Sequence, residues 1–350
     1  MSAVRIYLAA LLVLAGCGGS PFPSGGGGGG GGGGTTNISV SDLPTTTITV
    51  TPDGVVERHE KHNTGTNGGT VTGNGFAFKN GKISYDGTAD TFTVDNLAFD
   101  GGNVYQRDAT QPDLGPAKVY AADTTYADAQ TGALIDQFSY RALYGVSTSG
   151  KTQFAIVRTG AYADYGFGGF IYGRNGGVTL PATGSEPAKY SGTYAGLRDS
   201  QGSGMSYTTG DMELSIDFKD FNPDESATGN GAGIQGYVTN RRIFDLAGND
   251  ITQLVLDGIN ADKTPDVDLT ALPTLAFKVG PGVLDNNGEA QGELNSLIQV
   301  SGANKELEAG KYYAVVSGAN ADEVAGVIVV VSTINSVNFR ETGGFILYRP

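Results

Sequence analysis

The 350-residue chain has no tryptophan, one cysteine, two histidines and three methionines. A single cysteine excludes an intrachain disulfide and a cysteine metal site, so stability has to come from packing and sheet hydrogen bonds. The two histidines, His59 and His62, sit together in "ERHEKH", residues 57–62. Zinc takes three or four ligands and only Glu57 and Glu60 stand beside them, so the stretch reads as a polar loop or strand edge. A serine triad would have to draw on the same pair, and no Gly-x-Ser-x-Gly turn surrounds a serine; "GSGMS" at 202–206 has the wrong order. Positive charge is also scarce. Against 36 acids stand 22 Lys and Arg, a net charge of −14, which repels phosphate backbones and points away from nucleic acid. There is no long hydrophobic run either. The apolar stretch Ile6 to Ala15, behind Arg5, is too short to cross a bilayer as a helix and reads as a cleaved export signal.

The end of that run is unlike an ordinary cleavage site. Leu14-Ala15-Gly16-Cys17 resembles the lipobox of bacterial lipoproteins. The resemblance implies a signal peptide of residues 1–16, with Cys17 as the lipid attachment point and a membrane partner reached through that lipid. Gly18, rather than Asp, stands after the cysteine, which implies the outer membrane of a Gram-negative cell. Loss of residues 1–16 removes Arg5 and no acid, taking −14 to −15. Residues 17–44, with ten consecutive glycines, read as a flexible tether with a reach of about 30 Å. No strand precedes the glycines and no helix comes after them, so they are not a phosphate loop.

The body is patterned as β from end to end. Met212 to Lys219 alternates apolar and polar, which puts Met212, Leu214, Ile216 and Phe218 on one face. Leu275 to Val279 and Thr91 to Val94 repeat the alternation, whereas Val327 to Val331 is apolar throughout, as in a strand buried on both sides. Lys79-Asn80-Gly81-Lys82 and Asp285-Asn286-Asn287-Gly288 are turn signals. Short helices are expected only at 127–133 and 268–272. The fold class is therefore all-β: a β-rich domain over 45–180, a Pro181 to Pro187 boundary, and an eight-stranded antiparallel barrel over 181–350. Its strands are placed near 190–198, 211–221, 231–240, 251–259, 274–280, 290–299, 311–317 and 324–332, with 337–349 closing or capping the sheet. Several are shorter than the roughly 9–11 residues a membrane barrel needs, which argues against one.

The second half resembles the barrel lobe of transferrin-binding protein B and related surface lipoproteins. The stretches that carry the resemblance are "AKYSGTYAG" (188–196), "GDMELSIDFKDF" (210–221), "GIQGYV" (233–238), "SGANADEVAGVIVV" (317–330) and the terminal "GGFILYRP". Gly318, Ala321, Glu323 and Gly326 match the family's Gly-x-x-Ala-x-Glu-x-x-Gly hairpin, and "GGFIYGRN" (168–175) echoes it. The resemblance implies a β-rich handle before the barrel and recognition without catalysis. It makes the chain an outer-membrane lipoprotein at the cell surface that binds an extracellular protein or metal-carrying ligand; the alternative is a structural or assembly lipoprotein facing the periplasm. No binding residue of the family maps onto this chain.

The chain's own candidate is an exposed aromatic ridge of Tyr165, Phe167, Phe170 and Tyr172, whose intervening glycines leave the rings little to pack against. No cofactor or metal is expected. Asp285 to Glu289 reads as a hairpin turn rather than a calcium loop, and the acidic run 257–268 as solvated loop. Haem ligation would rest on His59, His62 or a tyrosine. Paired carboxylates are present among 36 acids, but only their separation would make them a glycosidase pair.

Overall fold

The computed structural model describes residues 35–38, 56–61, 83–94, 97, 100–160, 168–181, 187–200, 204–218, 233–262, 267–278, 284 and 287–350. The first half forms an antiparallel sheet. Its strands are β1 (Thr35–Ile38), β2 (Val56–Lys61), β3 (Ile83–Asp86), β4 (Thr91–Val94), β5 (Val104–Arg107), β6 (Ala117–Ala122), β9 (Tyr140–Val146), β10 (Thr152–Thr159) and β11 (Gly168–Arg174), in the order β1-β3-β4-β5-β6-β9-β10-β11-β2. Two further strands, β7 (Thr125–Ala127) and β8 (Leu134–Asp136), pair only with each other as a separate hairpin.

The second half is a closed eight-stranded antiparallel barrel: β12 (Ala188–Ser200), β13 (Gly204–Ile216), β14 (Ile234–Phe244), β15 (Leu275–Phe277), β16 (Glu289–Val300), β17 (Ala303–Ser317), β18 (Glu323–Ile334) and β19 (Val337–Tyr348). β19 pairs with β12 from Ser191↔Tyr348 to Ser200↔Phe339, which closes the cylinder and leaves it no edge. Met212, Leu214, Ile216 and Phe218 share one face as their spacing predicts, and all are buried in the barrel core with Tyr190, Tyr312 and Phe345.

Two expectations about the barrel are corrected. Residues 251–259 are not a strand; they form the helix α1 (Thr252–Asp262). The buried side chains Leu256 and Ile259 are three apart, the spacing of one helix face, while Leu254 is 69% exposed. The Asp250 carboxylate accepts the Thr252 N–H at 2.8 Å at its start. The eighth strand is instead β19, the segment 337–349. Strand length is also no argument against a membrane barrel, since seven of the eight strands run 11 to 15 residues. The faces decide: the lumen is packed with apolar side chains, and Lys189, Asp211, Glu213, Gln235, Glu293 and Lys311 stand exposed outside, the reverse of a lipid-facing barrel. Neither short helix expected at 127–133 or 268–272 forms. Residues 128–133 are the turn of the β7–β8 hairpin, and no helix lies at 268–272.

The sheet lies against the barrel. On β10, Ala155 and Val157 face the sheet's own core, while Phe154 and Ile156 face the barrel. Opposite them are Ala195 and Leu197 of β12, Val327 and Val329 of β18 and Ile346 of β19, which point outward from the cylinder. Gly344 permits the approach: a Cβ there would sit 2.2 Å from the Phe154 ring. Val327 to Val330 is thus covered on both sides, lumen and sheet, as its unbroken apolar run implies, and Val331 emerges into solvent.

Candidate functional site

The described half of the expected ridge, Phe170 and Tyr172, is not exposed. Tyr165 and Phe167 lie outside the described residues, as do Cys17 and His62. Phe170 and Tyr172 are buried at 2% exposure, on the face of β11 that meets the barrel. Both rings pack on Tyr313 of β17, with centroids 5.6 and 6.5 Å apart. The Tyr172 hydroxyl donates to Glu289 Oε1 at 3.4 Å, and Arg174 Nη1 donates to the Val316 carbonyl. The glycines beside these aromatics do leave space, and the barrel fills it. His59 falls on the edge strand β2, in register with Ile171. Among the described residues, no three His, Cys, Asp or Glu side chains converge as a metal site.

Exposed apolar side chains are grouped instead on the β7–β8 hairpin, where three stand within ten residues of one another. Tyr126 is 51% exposed, Leu134 73% and Ile135 44%. Tyr126 and Ile135 are cross-strand partners on one face, and Leu134 stands opposite Ala127 on the other. The turn between them is built by Asp128, whose Oδ1 accepts the N–H groups of Gln130 and Thr131 and the Thr131 hydroxyl. The hydrogen bond from Thr131 is the largest cause holding the Asp128 carboxyl below its ordinary range. Gly132 closes the turn at φ +69°, and the base is tied by Gln137 N–H donating to the Thr124 carbonyl at 2.8 Å. Tyr126 lies over Gly102, where an added Cβ would come within 2.6 Å of the ring. Between Tyr120 and Tyr140 the chain carries Asp123, Asp128 and Asp136 and no Lys or Arg. The hairpin is therefore an apolar projection in an acidic frame. Its sequence signal was the string Asp128 to Gly132, rich in turn residues, between two short runs of strand formers; the expectation of a helix there masked it.

Two buried polar assemblies set the scaffold. Between sheet and barrel, Arg158 donates to Asp199 Oδ2 through Nε at 3.0 Å and Nη2 at 2.8 Å, and both side chains are sealed from water. Burial raises the Asp199 pKa, and the charges of Arg158 and Arg340 offset this only in part. Inside the barrel, Arg241 donates to Glu308 at 2.7 and 2.8 Å and to Glu341 Oε2 at 3.2 Å. Glu341 also accepts from the Tyr194 and Thr208 hydroxyls, and Glu308 from Ser296. Burial alone would raise the Glu308 pKa, but the Arg241 charge and the hydrogen bonds hold it below its ordinary value. A register shift opposite Thr209/Asp211, with Asn240 at φ +50°, turns Arg241 into the lumen; unbroken alternation from Val238 would have sent it outside. α1 and Val267, Ile298, Leu307 and Ile334 form a separate apolar cluster at this end of the barrel, above the charged layer.

No protein-family model matches the sequence, and no curated protein does. Several solved structures align with much of this chain. A double mutant of transferrin-binding protein B from Haemophilus parasuis Hp5 aligns over 84% of this chain and 45% of its own length, with 13% identity and a TM-score of 0.37. The isotype 1 protein of the same name from serogroup B Neisseria meningitidis aligns over 85% of this chain and 64% of its own, with 11% identity and a TM-score of 0.30. A protein described as a surface lipoprotein aligns along its whole length with 67% of this chain, at 9% identity and a TM-score of 0.26. This chain thus spans less than half of the first of these proteins. The functional reading rests on this chain's own residues.

Proposed function

We propose that the chain is a lipid-anchored binding protein of the outer membrane that presents its body outside the cell and recognises an extracellular protein without catalysis. Cys17 is the attachment, residues 18–44 are the reach, and the sheet and barrel are what is displayed. The observation that carries the reading is the β7–β8 hairpin: three exposed apolar side chains, framed by aspartates, on a sheet locked to the barrel by a sealed ion pair and a shared apolar core. A partner that fits it offers an apolar centre and a basic rim, which the net charge of −14 also favours. Arg158 with Asp199, and Arg241 with Glu308 and Glu341, are engaged with one another, as suits a scaffold.

The anchor is tested by Cys17→Ser, which releases an intact, folded protein from membranes; retention of that variant in the membrane fraction after a high-salt wash would contradict it. Protease treatment of intact cells, with a periplasmic control protein, tests the orientation. Digestion of the body while the control survives supports display, whereas protection until the outer membrane is permeabilised would replace this reading with that of a periplasm-facing assembly lipoprotein.

A further inference from the structure

The charged layer inside the barrel balances two arginines against two glutamates, but one of the arginines finds no hydrogen-bond acceptor in it. Arg198 lies on β12 at an inward position, two residues on from Gly196 and four from Tyr194, and is 6% exposed. Glu341 is its register partner, yet both Glu341 oxygens are taken up by Tyr194, Thr208 and Arg241, and both Glu308 oxygens by Arg241 and Ser296. The guanidinium instead lies over the Phe339 ring at 4.2 Å and has no hydrogen-bond acceptor among the described residues. Its N–H donors thus find π density on one side and no acceptor in the fold, which offsets part of a guanidinium's desolvation and none of its hydrogen bonding. Glu341 and Glu308 balance the charge, but a largely buried donor group with no acceptor remains costly to retain.

Two hydroxyls stand with it. Ser206, directly across from Arg198 on β13, and Ser332, across from Phe339 on β18, occupy inward positions, and neither hydrogen-bonds to a described residue. Phe339 also belongs to the apolar cluster under α1, so the three polar groups lie between the carboxylate layer below and the helix-capped roof above. Burial pushes the Arg198 pKa down, and the nearby Glu341 and Glu308 charges offset this only in part.

We infer that this end of the barrel is a binding site for a small oxyanion or carboxylate, with Arg198 as the charged donor and Ser206 and Ser332 as hydroxyl donors. Guanidinium presents paired N–H groups that match two oxygens of a carboxylate, phosphate or sulfate, which is why such anions are its usual buried partners. The inference is independent of the hairpin: it concerns the lumen, and either could fail without the other.

Isothermal titration calorimetry of the intact chain at constant ionic strength tests it, with phosphate, sulfate and acetate titrated against a chloride background. Saturable binding of at least one anion is expected, weakened tenfold or more in Arg198→Met and retained in part in Arg198→Lys. Tightest binding of phosphate or sulfate assigns the site to a free inorganic oxyanion. Affinity that climbs from acetate through butyrate to hexanoate assigns it to the carboxylate of a ligand whose apolar body lies in the cluster under α1. No saturable binding of any of these anions to the wild type would overturn the inference, as would undiminished binding to an Arg198→Met protein with native circular dichroism. Should Arg198→Met fail to fold, Ser206→Val/Ser332→Val carries the same comparison, with weakened binding expected and unchanged binding overturning the site.

Discussion

Phe170 and Tyr172 on β11 and Tyr126, Leu134 and Ile135 on the β7–β8 hairpin are similar in chemistry and opposite in fate. The first pair is sealed beneath the barrel, and the second group stands in solvent. What separates them is neither composition nor local structure, since both sets sit on short antiparallel strands next to glycine-containing segments. The difference is that β11 lies in the sheet layer the barrel covers, while among the described strands the hairpin pairs only with itself. An exposed apolar residue marks a recognition surface only where tertiary packing has already had its chance to claim it.

That contrast can be broken most severely at the seam. Asp199→Ala strands Arg158 in a sealed environment and should cost about 3–5 kcal/mol in chemical denaturation, whereas replacing both partners with apolar residues of similar size should recover most of the loss. Phe170→Ala removes a ring packed on Tyr313 and should cost about 3–5 kcal/mol, read in the same assay. In the charged layer, the folded-state pKa of Glu308 lies below its unfolded value. Its contribution is therefore fully present above the ordinary glutamate pKa and lost as pH falls through the lower folded one. Thermal stability should drop on acidification below about pH 4, and Glu308→Gln should flatten that part of the profile while lowering stability at neutral pH. The smallest effect belongs to the hairpin. Leu134→Asp with Ile135→Asp should change stability by no more than about 0.5 kcal/mol, because side chains already in water lose little burial. A large loss would show that the hairpin is part of the core after all.

Much of the fold was legible in the sequence where one face alone is buried. The alternation at Met212 to Phe218 reported a lumen wall correctly, and the run Val327 to Val331 reported a strand covered on two sides for all but its last residue, Val331, which is exposed. Residues 251–259 misled because Leu254 and Leu256 alternate like a strand while the helix buries Leu256 and Ile259; a pattern this short fits both periods. The ridge misled for a different reason: glycines announce that space exists around a ring, but not whether another layer fills it. Arg198 and Arg241 were invisible because their inward orientation depends on strand parity and, for Arg241, on a bulge at Asn240 that no turn residue pattern announced.

The near absence of cysteine allows the decisive test. With Cys17 the only native thiol, a cysteine placed at Thr131 on the hairpin turn can be probed on intact cells with a membrane-impermeant maleimide, using Phe170→Cys as the buried control. Display of the hairpin outside the cell predicts rapid labelling at position 131 before any lysis and none at position 170. Labelling at 131 only after the outer membrane has been permeabilised would contradict it.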